Sequence, residues 1–152
     1  MDRLHRPRTE RRAAFEPAIR PGEVNWMTAG KGITHSERLE RVRREGGPVH
    51  GVQAWVALPE ADEESDPAFA HHGAHDLPTF EETGVWGRLV AGKTLGLQAA
   101  VRTHSPLFYL HWQLAAGART ELPAEYPERG SMSSAALSRS MASASMKAGC
   151  WS

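Results

Sequence analysis

Residues 21–37, PGEVNWMTAGKGITHSE, constrain the local fold more than any other run in the chain. Pro21-Gly22 predicts a type II turn, because proline presets φ and glycine accepts the positive φ that must follow. Val24 to Thr28 then predicts a strand, and Gly30 and Gly32 open a loop that ends in His35 and Glu37. Two residues apart on an extended segment, those side chains point to one face. An imidazole nitrogen beside a carboxylate oxygen suits iron, manganese or zinc better than calcium. Taken without its neighbours, the same pair reads first as two solvated surface groups, and the spacing alone is weak evidence for a metal.

A chain of 152 residues with 40% hydrophobic content can bury one core, and its formal net charge of zero gives no electrostatic case for nucleic acid or a membrane surface. Cys150 is the single cysteine, so no intramolecular disulfide can form. The first twelve residues are charged and lack the apolar region of a signal peptide, and no apolar run approaches a membrane span. The expected compartment is the cytoplasm.

Residues 1–16 form a basic arm, rich in arginine and without strand or helix periodicity, expected to be disordered rather than a nucleic-acid arm. Glu16 to Arg20 reads as a strand entering the turn at Pro21. Glu37 to Glu45 is charged almost throughout and predicts a solvated turn or short helix, ended by Gly46-Gly47-Pro48. His50 to Leu58, HGVQAWVAL, predicts a buried strand with Val52, Ala54, Val56 and Leu58 on one face. Residues 59–78 are acidic and then rich in histidine, and predict a flexible surface loop. His71, His72 and His75 within it have a spacing that can bind zinc, but nothing nearby frames three or four convergent ligands. Val85 to Ala91, Leu97 to Thr103 and Leu107 to Leu114 predict three more strands of an antiparallel all-β fold.

Gly87 to Thr94 satisfies the P-loop pattern G-x-x-x-x-G-K-[ST]. That chemistry needs free backbone N–H groups between the glycines and a helix starting at the lysine. Here Arg88 to Ala91 read as strand, and Leu95-Gly96-Leu97 after Thr94 offers no helix cap. The match is one of chance.

Trp26, Met27, Thr28, Ala29, Gly30, Gly32, Ile33, His35, Ser36 and Glu37, in that order, resemble the second metal-binding motif of the pirin family, W-M-T-A-G-x-G-[IVL]-x-H-[SA]-E. The resemblance continues through HGVQAWVALP (50–59), GRLVAG (87–92), SPLFYLHWQLAAGA (105–118) and LPAEYPERG (122–130). It implies an incomplete cupin (jelly-roll) bicupin fragment over residues 17–129, joining the end of one barrel to the start of the next. It also implies His35 and Glu37 as two of four Fe(II) ligands, and an activity of the quercetin 2,3-dioxygenase type on a flavonol. Pirins are also transcription cofactors that bind protein partners, so a non-catalytic binding or regulatory role is the alternative, and an inactive truncated product a third. The family's other two ligands come from an H-P-H-x-G motif about forty residues upstream. His5 is the only histidine before His35, so the resemblance implies a half-site that holds iron weakly or not at all. His50, His71 and His72 are the first residues to check for a further ligand.

Residues 130–152 are small, polar and of low complexity. Read one nucleotide out of register, Met141-Ala142 yields glycine, Met146-Lys147 glutamate and Cys150-Trp151 leucine whatever the codons. Free codon choice elsewhere allows a hairpin pattern with an Asp-Gly turn that resembles the family's continuation. The expectation is a frameshift at Gly130, which the coding DNA would test.

Overall fold

The computed structural model describes residues 19–36 and 40–133. In chain order these form β1 (Val24–Thr28), α1 (Glu40–Glu45), a 3-10 turn (Glu60–Asp62), β2 (Ala68–His72), β3 (Thr79–Glu82), β4 (Val85–Thr94), β5 (Leu97–Gln98) and β6 (Phe108–Leu114). All strand pairings are antiparallel. The expectations for residues 1–18, and for the tail from residue 134 on, lie outside the described residues.

β4 organises the larger sheet because its sequence alternates with the period of the pleat. Val85, Gly87, Leu89 and Ala91 are buried, while Trp86, Arg88 and Val90 are only half-buried. β3 pairs with one edge of β4 and β6 with the other, and β5 joins β4 at Lys93 and Thr94. The register with β6 slips between Leu89 and Ala91, a bulge-like irregularity. Gly87 lacks a side chain because the Phe80 ring occupies that space, 2.2 Å from where a Cβ would stand. The whole P-loop pattern therefore lies within one paired strand.

β1 and β2 make a separate two-stranded sheet, with Trp26 opposite Ala70 and Thr28 opposite Ala68. It meets the larger sheet through a core of Leu77, Ala91 and Val101, against which Val24, Trp26, Leu107 and Tyr109 pack. Arg88 adds a polar tie. Its guanidinium lies 5.0 Å from the Trp86 ring centroid and donates to the Gly22 carbonyl at 3.0 Å. Gly22 itself has φ +85°, and the Glu23 amide donates back to the Arg20 carbonyl, closing the turn expected at Pro21-Gly22.

β1, β4 and β6 stand within a few residues of their expected positions. Other expectations need correction. Residues 50–58 form no strand: Val52 and Trp55 are 54% and 87% exposed, and an alternating run with no neighbour among the described residues to complete its ladder stays unpaired. The loop expected over 59–78 contains β2, whose backbone pairs with all five residues of β1. Of Leu97 to Thr103 only Leu97–Gln98 is strand, because Ala99 and Val101 turn into the core instead. Ile19 and Arg20 are likewise not strand. α1 ends at Gly46, whose φ of +71° lets its amide donate to the Val42 carbonyl at 2.8 Å.

Candidate metal centre

The segment after β1 is shaped by its glycines. Gly30 has φ +51°, and a Cβ there would stand 2.0 Å from the Ser65 carbonyl oxygen. That carbonyl accepts from the Lys31 amide at 3.0 Å, and Lys31 Nζ pairs with Asp66 at 2.5 Å. The Gly32 amide donates to the Ala29 carbonyl at 3.0 Å. The loop is thus fastened to residues 65–66 before the chain reaches His35.

His35 is exposed and sits in residues 32–36, which belong to no strand. The shared-face geometry expected of His35 and Glu37 assumed an extended strand, and the described part of that segment is not one. Glu37 lies outside the described residues. Among the described residues, no group of three or more His, Cys, Asp or Glu side chains comes together as a metal site. The donor types of the motif, imidazole nitrogen and carboxylate oxygen, fit iron in kind, and one of them, His35, is held open to solvent.

The other histidines are engaged separately. His71 Nδ1 donates to Asn25 Oδ1 at 2.8 Å, and its Nε2 lies 3.7 Å from Glu23 Oε2. His72, the next residue of β2, points to the opposite face, where its Nε2 is buried without a hydrogen-bond partner among the described residues. His75 pairs with Asp76 at 3.2 Å and His104 with Asp62 at 3.1 Å. His50 is exposed on the unpaired run. The Glu23–His71–Asn25 network was not anticipated from sequence, because Asn25 and His71 are 46 residues apart and the β1–β2 register brings them together.

The pirin family model matches residues 12–56. A pirin-like protein of Caulobacter vibrioides is 57% identical over 112 residues, which cover 73% of this chain and 39% of that protein. A putative quercetin 2,3-dioxygenase of Pseudomonas aeruginosa is 47% identical over 89 residues, 59% of this chain and 27% of that one. Human pirin is 32% identical over 105 residues, 69% of this chain and 35% of its own length. A crystal structure from Geobacillus kaustophilus superposes with TM-score 0.54 at 28% identity, covering 68% of this chain and 40% of that one. A quercetin 2,3-dioxygenase from Acinetobacter baumannii superposes with TM-score 0.51 at 29% identity, covering 60% and 33%. The chain thus spans about two-fifths or less of the length of these relatives. The motif from Trp26 to Glu37, the antiparallel all-β architecture with its cupin-type neighbours, and these sequence matches together show that the chain belongs to the pirin family of the cupin superfamily.

Proposed function

We propose that this chain is a metal-binding cupin of the quercetin 2,3-dioxygenase type, with His35 and Glu37 as Fe(II) ligands and a flavonol as substrate class. The supporting observation is the fastened glycine loop, which leaves His35 exposed while Ser65 and Asp66 hold the residues just before it. Two relatives carry the name quercetin 2,3-dioxygenase, one of them as putative. Bound there, Fe(II) would supply open coordination positions for dioxygen and substrate. Two protein ligands leave most of the shell to water, so the chain on its own holds iron weakly and its activity is impaired. The test is iron per chain after anaerobic loading and dialysis, with quercetin consumption followed by absorbance, repeated for His35→Ala and Glu37→Ala. Well below one iron per chain is expected, reduced further in both variants. Near-stoichiometric iron that survives both substitutions would overturn the assignment.

One observation favours a second reading, a non-catalytic binding or regulatory protein. Val49, Val52, Trp55 and Val56 expose apolar surface along a single run with no described strand beside it. Such a run is a docking edge for a protein partner that adds a strand. Partner binding that persists with His35→Ala and without iron would favour this reading over the first.

A further inference from the structure

A cavity of about 340 Å³ lies where the end of β4, the segment after β5 and the entry to β6 meet. His35 does not border it. Three hydrogen bonds tie its walls together: the Ala99 amide donates to the Gly92 carbonyl at 2.9 Å, the Lys93 amide to the Leu107 carbonyl at 3.1 Å, and the Tyr126 hydroxyl to the Lys93 carbonyl at 3.1 Å. Its apolar lining comes from Ala99 and Val101, which are buried, and from Leu107, which packs against the same core as Val101.

The polar rim follows from the strand register. Lys93 stands opposite Gln98, so the two share a face, whereas Thr94 and Leu97, the next pair, do not line the cavity. Along the segment that follows, buried Ala99 and Val101 alternate with exposed Gln98, Ala100 and Arg102. Lys93 and Arg102 both border the cavity, and no Asp or Glu is among the described residues that line it. Neither cation makes an ion pair among the described residues. Glu125 precedes Tyr126 in the chain, but its carboxylate accepts from the Thr94 hydroxyl and the Leu95 amide, neither of them in the lining. Arg102 also borders a second hollow, where Asp66 pairs with Lys31 and His104 lies 3.1 Å from Asp62. Lys93 does not border that hollow.

Two cations around a lining without carboxylates favour an anion, and a phosphoryl group can take charge-assisted hydrogen bonds from an ammonium and a guanidinium at once. The apolar lining suits an organic body, and the volume, at the small end of ligand sites, suits one ring. We propose that this cavity binds a small phosphate monoester, with its phosphoryl group between Lys93 and Arg102 and its organic group against Ala99, Val101 and Leu107. The site does not involve iron at His35, so it stands or falls separately from the dioxygenase reading.

The test is titration of the full chain with phenyl phosphate at about pH 7.5, above the second pKa of about 6 for such esters, followed by amide shifts of residues 93, 98 and 102. Inorganic phosphate serves as the charge without the ring, and phenol as the ring without the charge. Saturable shifts with a Kd on the order of 1 mM are expected for the ester, the range for a ligand of this size. Inorganic phosphate should bind more weakly than the ester, and phenol should give no saturable shift in the same range. Lys93→Gln and Arg102→Gln should each weaken phenyl phosphate about tenfold, the factor for one charge-assisted hydrogen bond, with the circular-dichroism spectrum kept. Arg119→Gln, which removes an exposed cation outside the cavity, should leave the affinity unchanged. Equal binding of inorganic phosphate and the ester, or a loss in Arg119→Gln as large as in Lys93→Gln, would mean an adventitious ion only and overturn the proposal. Full affinity in Lys93→Gln or Arg102→Gln, phenol binding as tightly as the ester, or no saturable shift would overturn it as well.

Discussion

Gly30 and Ser65 approach so closely that the Ser65 carbonyl oxygen fills the space a Cβ on Gly30 would need, 2.0 Å away. The first glycine of the motif is therefore fixed twice, by its φ of +51° and by a backbone neighbour that has no flexible end to swing aside. Gly32 differs, for among the described residues nothing lies within 4 Å of its Cβ position and its φ of +128° is what restricts it. Gly30→Ala should cost about 3 kcal/mol, combining left-handed strain with a backbone clash. The Lys31 amide should lose its exchange protection at the same time. Urea unfolding with amide exchange checks this, and a change below about 0.5 kcal/mol, the size of an ordinary surface substitution, would refute it.

A second glycine pair separates conformation from space. Both have φ near +75°, but a Cβ on Gly92 would stand 1.9 Å from the Leu107 carbonyl oxygen, whereas Gly96 has nothing within 4 Å among the described residues. Gly96→Ala should cost about 1 kcal/mol, the left-handed penalty alone. Gly92→Ala should cost more than about 3 kcal/mol, because the Lys93 amide donates to that same carbonyl and the two segments cannot part there without losing it. Equal losses in the two variants would show that the approach at Gly92 is not structural.

The Glu125 carboxylate carries a pH dependence. The Leu95 amide, its own backbone amide and the Thr94 hydroxyl hold its pKa below the ordinary 4.5, with Arg129 adding a smaller effect. Its oxygen accepts from Thr94 Oγ1 at 2.9 Å and from the Leu95 amide at 3.0 Å. A folded value below the unfolded one means that this stabilisation is present above pH 4.5 and is lost as pH falls through the depressed value. The tie between residues 122–129 and the β4–β5 turn should therefore loosen in acid. Glu125→Gln should remove that part of the pH profile, read from protection of the Leu95 amide. A variant with an unchanged profile would assign the transition to another group.

The unpaired run at 49–56 predicts association. Trp55 is 87% exposed, and Val49, Val52 and Val56 near it in the sequence are exposed as well. Trp55→Ser together with Val52→Lys should lower concentration-dependent self-association in light scattering without altering the far-ultraviolet spectrum, because neither residue is in the core. Unchanged association would place the sticky surface elsewhere, with the edges of β3 and β6 next to be tested.

The legibility of the sequence followed where each strand finds its support. β1 coincides with the expected Val24 to Thr28 because a turn before it and glycines after it leave no room to slide. β4 announced itself by alternation, although it runs on to Thr94 past a glycine that looked like a terminus. β2 was hidden, since Ala68 to His72 mixes small and imidazole side chains and is strand because β1 supplies its ladder. Residues 50–58 show the converse, with strong strand composition and no described partner. In the candidate site, His35 was named from its motif, but its surroundings depend on Ser65 and Asp66, thirty residues on. Side-chain pattern reports what a segment tolerates, whereas pairing is decided by residues far away in the chain.

The two sheets differ in how far apart along the chain their strands lie, and this sets an order of assembly. β3 and β4 are joined by two residues, so their hairpin closes a very short loop, and β6 follows after the β5 turn. β1 must wait for β2, some forty residues later, with a correspondingly larger entropic cost of closure. The hairpin around Gly84 should acquire exchange protection first on refolding and the β1–β2 pair last. The loop that presents His35 would then be built after the larger sheet, and a nascent or partly unfolded chain would carry His35 on a segment not yet anchored.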